Sequence, residues 1–169
     1  MKALTILQPY PWLIQNEYKR FETRGWYTSY RGPLAIHAGK RFMLGAVNLK
    51  KHGIAVPLTE MHLGAVVAIA DLVECWAIDG YGHDLNWQPG DNDAESKFYY
   101  VYPASIREPK AEDFSRIRYP ETMLGYYPDC GFKKEPRYAW ELANVRPIEP
   151  VPAKGMQRLW EWEGEIKYV

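Results

Sequence analysis

The 169-residue chain has only two cysteines, no surplus charge of either sign and no long apolar run. Two thiols, Cys75 and Cys130, cannot build a disulfide framework, and neither has a metal-ligand neighbour at two-residue spacing. Both are expected as free buried thiols in a reducing cytoplasm. The longest apolar run, 65–70, is a strand's length, far short of a bilayer span. The Met-Lys-Ala-Leu-Thr start lacks a secretory apolar region, so no membrane association is expected. The histidines, His37, His52, His62 and His83, have no zinc-like spacing, and Asp91, Asp93 and Glu95 lack the glycine and distal glutamate of a calcium loop. A phosphate-binding loop, a dinucleotide fingerprint, a His-Glu-x-x-His pair and a nucleophile elbow are all missing, so neither metal nor cofactor is expected.

Aromatic residues are what the chain has in excess. Seven Trp, 13 Tyr and 5 Phe make 15% of it, more than a core of this size needs, and some of these rings are expected to line a surface or cleft. Charge is also unevenly placed. Residues 1–60 carry nine Lys/Arg against three Asp/Glu, whereas residues 61–130 carry five against twelve. A basic first third is suited to phosphates if the fold keeps it together, and becomes a mixed surface if the fold interleaves the two regions.

Length predicts one domain, 1–169, with a real core. Residues 2–7 read as a strand, closed by Gln8-Pro9-Tyr10-Pro11, which opens a short helix burying Trp12, Leu13 and Ile14. Residues 19–24 alternate as a strand, with Glu22 and Arg24 on one side and Phe21 and Thr23 on the other. Arg31-Gly32-Pro33 turns into a strand over 34–38, with His37 facing away from Leu34 and Ile36. The spacing over 40–52 predicts a second helix with a basic exposed face. Residues 63–75 form the clearest strand. The stretch 79–136 reads as a long loop or insertion, acidic at first, with a short strand at 98–102. Strands over 138–148 and 159–162 close the chain. The fold expected is α+β and mainly β, a small barrel of five to six mostly antiparallel strands with short helices packed outside.

The densest chemistry lies in Lys19-Arg20-Phe21-Glu22-Thr23-Arg24-Gly25-Trp26. Glu22 and Arg24 on one strand face can pair, leaving part of the guanidinium fork for a phosphate or carbonyl. Lys19 at the corner overhangs the same place, where desolvation and the neighbouring arginine favour a neutral amine usable as a base. The plain alternative is a solvated charged run on an edge strand. Gln8, Trp26, His37, Lys40 and Arg41 complete the candidate cleft, Trp26 either stacking on a base or covering the barrel end. Tyr138 and Trp140 extend an aromatic platform, whereas Trp160 and Trp162 are expected to seal the core.

Several motifs together resemble an activating signal cointegrator homology (ASCH) domain, of the PUA-like superfamily. They are Leu4-Thr-Ile-Leu-Gln-Pro-Tyr-Pro-Trp-Leu-Ile, Lys19-x-x-Glu22-x-Arg24-x-Trp26, Tyr30-Arg-Gly-Pro-Leu-Ala-Ile-His-Ala, Tyr138-Ala-Trp-Glu-Leu and Lys154-Gly-x-x-x-Leu159-Trp. The family signature is similar to Gly-x-Lys-x-x-Glu-x-Arg; Glu17 stands where it has glycine. The resemblance implies a PUA-like β-barrel whose cleft, lined by this motif, binds RNA, single-stranded nucleic acid or a nucleotide, alone or with protein partners. Some small relatives hydrolyse N4-acetylcytidine with a lysine, a threonine and a glutamate. Lys19 matches that lysine, but Glu22 occupies the threonine position and Thr23 lies one residue away. Three readings follow: a nucleic-acid-binding domain, an amidohydrolase or ribonuclease acting on a modified nucleoside or RNA through Lys19, Glu22 and Arg24, and a non-catalytic protein-interaction module.

Overall fold

The computed structural model describes residues 1–43, 54, 58–83, 97–118 and 138–169. Its elements are β1 (Lys2–Gln8), α1 (Tyr10–Gln15), β2 (Phe21–Arg24), β3 (Gly32–Phe42), β4 (Ala65–His83), β5 (Lys97–Pro103), β6 (Ser115–Arg118), β7 (Tyr138–Pro152) and β8 (Leu159–Glu161). The chain is mainly β, with one α-helix among the described residues.

The strands run in the order β2-β7-β4-β3-β1-β8, with β5 and β6 branching from β4. All pairings are antiparallel except β1 with β3, where Lys2 lies opposite Leu34 and Ile6 opposite Ala38. Among the described residues the sheet does not close into the expected barrel: its main path ends at β2 and β8, and the branch ends at β6. Instead the sheet curls until Arg24 of β2 donates to the Thr5 carbonyl of β1 at 3.3 Å. β8 pairs with β1 only as far as Leu4, so the Arg24 guanidinium meets β1 just beyond the last paired residue.

Residue parity sorts the core into an inner and an outer face. Leu4, Ile6, Leu34, Ile36 and Trp140 point inward. The helix α1 packs on this same face with Tyr10–Ile14 all buried, and so lies inside the curl rather than outside the sheet as expected. Burial on every side explains why its sequence shows no amphipathic period. On the outer face, Ala3, Ala35, Val66, Trp160 and Trp162 form one cluster, and Phe21, Val101, Ile117 and Ala139 form another beneath β5 and β6.

The strand β4 runs further than expected, to His83; β5 falls on the short strand expected at 98–102, and β6 is a further strand within the stretch read as a loop or insertion over 79–136. Aromatic residues of high strand propensity, Phe98, Tyr99 and Tyr100, carry that extension. β5 takes the edge of β4 that β3 leaves at Leu72, beginning opposite Trp76 while β7 still pairs on the other edge, and a register shift falls between Ile78 and Gly80 of this ladder. The second helix expected over 40–52 begins inside β3, which continues to Phe42; residues 44–52 lie outside the described residues, as do 84–96 and 119–136. Proximity to β1 overrides helical spacing at the start of that segment, for Gln8 pairs with Phe42.

Candidate functional site

The site begins at the end of α1. Glu17 N–H donates to the Ile14 carbonyl (3.0 Å) and Tyr18 N–H to the Leu13 carbonyl (2.9 Å), the paired bonds of a Schellman stop. Such a stop needs one residue in the left-handed region, and Glu17 has φ of 60° there. Glycine is the usual occupant because it lacks a Cβ to crowd the carbonyl. The stop reverses the chain and delivers Lys19, whose own N–H bonds Leu13 O at 3.1 Å, to the inner face at the head of β2.

Lys19 is 1% exposed, yet its ammonium is well supplied. It donates to Phe21 O at 2.6 Å, lies 3.4 Å from Glu22 Oε2 and stands over the Tyr10 ring at 5.2 Å. Glu22 offers its other oxygen, Oε1, to Arg24 Nη2 at 3.1 Å. Side-chain exposure rises along the row, 1% for Lys19, 6% for Glu22 and 24% for Arg24, so Lys19 is the floor and Arg24 the mouth. Burial pushes the Lys19 pKa below its ordinary value; Glu22 opposes that shift and Arg24 adds to it.

Two buried donors on this face have no partner among the described residues: Arg24 Nε–H and Trp140 Nε1–H. Glu22 pairs across the ladder with Trp140, and Arg24 with Tyr138, so the two donors belong to adjacent side chains of one face. Native proteins leave few such groups unpaired, and the cost of each is about 1–3 kcal/mol. The half-buried Trp26 meets Trp140 edge to face at 4.6 Å, and Tyr27 leans on Tyr138 at 6.0 Å, giving the mouth an aromatic rim.

Other candidates stand elsewhere. Thr23 shares the opposite face of β2 with Phe21 and opposes Ala139, so its hydroxyl points away from Lys19. Gln8 is buried with both ends of its amide engaged, Nε2 donating to His62 O at 2.9 Å and Oε1 accepting from Trp12 N–H at 3.2 Å. It anchors α1. His37 lies on the outer face, edge to face with Trp160 at 5.6 Å and 3.1 Å from Ala153 O. Burial lowers its pKa and the Ala153 bond partly restores it. Lys40 and Arg41 are exposed at the end of β3, where the Lys40 stem lies over Gly64. The structure thus brings together Lys19, Glu22, Arg24 and Trp26. Tyr10 and the Thr5 carbonyl join them without a sequence signal, since a main-chain acceptor leaves no mark and Tyr10 reads as part of a turn.

The profile of the ASCH domain matches residues 4–152, most of the chain and all of this site. The chain belongs to the ASCH domain family. No curated protein is similar to it at a significant level. ASCH domains have a PUA-like fold and are associated with RNA binding, and the curled β-rich sheet of this chain fits that class. Among the described residues of this ASCH domain no group of three or more His, Cys, Asp or Glu could hold a metal ion, and no helix is long and apolar enough to cross a membrane.

Proposed function

We propose that this ASCH domain binds a nucleotide unit of RNA, with one unpaired base entering the mouth between β1 and β2. The observation that carries the reading is the pair of buried, unpartnered donors, Arg24 Nε–H and Trp140 Nε1–H, on the face that also holds Lys19 and Glu22. A base carbonyl is the matching acceptor, and Trp26 at the rim suits a planar ring. Arg24 at the mouth, 24% exposed, also serves a phosphate. With a net charge of zero, the protein suits a short single strand better than a duplex tracked through many phosphates.

One observation favours a second reading, hydrolysis of an N4-acylated cytidine: Lys19 is buried and its pKa is lowered toward the neutral amine. Thr23 faces away, so water would be the nucleophile. Lys19 Nζ takes the water proton, the hydroxide adds to the acyl carbon, and Arg24 receives the developing oxyanion. The C–N bond then breaks as the base's amino nitrogen takes that proton from Lys19, giving the free cytidine amine and a carboxylic acid that loses its proton to solvent.

Calorimetry with uridine and cytidine monophosphates and a five-nucleotide RNA tests the first reading, run beside an assay of acetate release from N4-acetylcytidine. Arg24→Ala is expected to weaken binding tenfold or more, on the order of a lost charged hydrogen bond. Acetate release by the wild type that Lys19→Ala abolishes establishes the second reading. Neither binding nor release leaves a protein-interaction module.

A further inference from the structure

A second feature lies where β5 and β6 extend from the C-terminal half of β4. Their inward residues, Val101 and Ile117, are buried against Phe21 and Ala139. Their outward residues are aromatic on β5 and cationic on β6. Tyr100 lies opposite Arg116, and Phe98 opposite Arg118. Arg116 stands 4.6 Å from the Phe98 ring and 5.6 Å from the Tyr100 ring. Phe98 and Tyr100 meet edge to face at 5.0 Å, and Tyr102 continues the row against Phe114 at 5.3 Å.

The adjoining strand is bare on this side. Gly80 opposes Tyr100 and Gly82 opposes Phe98. A Cβ on Gly82 would come within 2.9 Å of Phe98 and 3.3 Å of Tyr100, so the rings rest on the backbone of β4. Tyr100 nevertheless keeps 37% of its surface exposed. Arg116 is exposed, and its contacts among the described residues are rings, with no carboxylate. The nearby Asp113 is engaged by the Lys110 N–H at 2.8 Å.

We infer that this face of β4–β5–β6 is a second contact surface for single-stranded RNA, with bases stacking on Tyr100 and Tyr102 and the backbone running past Arg116 and Arg118. The choice of ligand rests on the RNA reading of the domain; the surface shares no residue with the Lys19 site and lies on the same side of the sheet, in the row Arg24, Tyr138, Ala77, Tyr102. The exposed Tyr100 and the half-buried Tyr102 beside guanidinium groups supply what an unpaired strand needs, stacking planes for bases and cations for phosphates. A sheet face of alternating tyrosine and arginine offers no apolar groove for a helix, and its charge complements a polyanion.

Fluorescence anisotropy with a labelled twelve-nucleotide oligouridylate tests this, alongside calorimetry with uridine monophosphate. Tyr100→Ala with Arg116→Ala is expected to weaken the twelve-mer about tenfold or more, as the loss of a stacking ring does. It is also expected to flatten the log–log salt slope by about 0.7 for the lost phosphate contact. Mononucleotide binding is expected to stay unchanged, and Tyr100→Phe to keep twelve-mer affinity, which excludes damage to the fold. If Arg24→Ala leaves every ligand bound as before but the double variant still loses the twelve-mer, the pocket reading fails and this surface stands. Wild-type affinity of the double variant for the twelve-mer, or no twelve-mer binding by the wild type, overturns the proposal.

Discussion

Arg24 reaches the Thr5 main-chain carbonyl although β7, β4 and β3 lie between their strands in the sheet. This contact spans the gap that strand pairing leaves, and the same guanidinium holds Glu22. One side chain therefore both fastens the curl and lines the mouth beside Glu22.

Replacing Arg24 by alanine is expected to cost about 1–3 kcal/mol of stability, the range for a hydrogen bond from a charged donor. Glu22 is left with Lys19 alone. Arg24→Lys keeps a charge near Glu22 but loses the planar fork, and is expected to recover part of the stability and little of the nucleotide binding. Urea denaturation and calorimetry on the two variants separate these contributions.

The lowered Lys19 pKa has a consequence for stability against pH. Above its ordinary value of 10.5 the amine is neutral in folded and unfolded chains alike, and burial carries no penalty for charge. As pH falls below 10.5 the unfolded chain takes up the proton first, so stability is lost between 10.5 and the lower folded value, and is level below that. The raised pKa values of buried Cys75 and of Tyr30 act in the opposite sense, removing stability as pH rises through 9.0 and 10.0. The wild type is therefore compared with Lys19→Met. Its stability relative to that variant is expected to rise with pH on approaching 10.5, by at most about 1.4 kcal/mol per pH unit. A flat difference across pH 8–10.5 means that Lys19 is not desolvated as described.

Gly155 lies tight over the outer face. A Cβ there would be 2.4 Å from His37 Cε1 and 2.7 Å from Thr5 Oγ1, the oxygen that accepts the Trp160 indole N–H at 3.1 Å. Gly155→Ala is expected to destabilise the fold by about 1–3 kcal/mol through overpacking, with nucleotide binding retained below the lowered melting temperature.

At Glu17 the opposite sign is expected. Its φ of 60° is a conformation that costs a non-glycine residue about 1–2 kcal/mol. Glu17→Gly relieves that cost and adds some unfolded-chain entropy, for a net gain of about 0.5–1 kcal/mol measurable by thermal or urea unfolding.

Most strands were legible because burial and pattern agree. The alternation of Phe21, Glu22, Thr23 and Arg24 sets which side chains share the inner face, and the structure keeps that division. The family signature marked position 17 as a glycine site, and the left-handed turn supplies the physical reason. What stayed hidden depends on tertiary contact. Gln8 has the composition of a ligand-binding residue, but its partners, His62 O and Trp12 N–H, are provided by the fold. His37 follows a motif near the cleft in sequence, yet strand parity turns it to the other face. At Lys40, Arg41 and Phe42 the helical spacing gives way to the end of β3, where Phe42 pairs with Gln8 of β1, and β6, only four residues long, has too short a pattern to read.

The most direct test of the central claim is the indole N–H resonance of Trp140, one of seven such signals from the seven tryptophans, assigned by its loss in Trp140→Phe. Titrating ¹⁵N-labelled protein with uridine monophosphate and then with a five-nucleotide RNA is expected to shift that resonance downfield as the buried donor gains an acceptor. The Trp160 indole, already bonded to Thr5 Oγ1, is expected to stay in place. Saturating ligand that leaves the Trp140 signal unmoved would contradict a base-binding site at Lys19, Glu22 and Arg24.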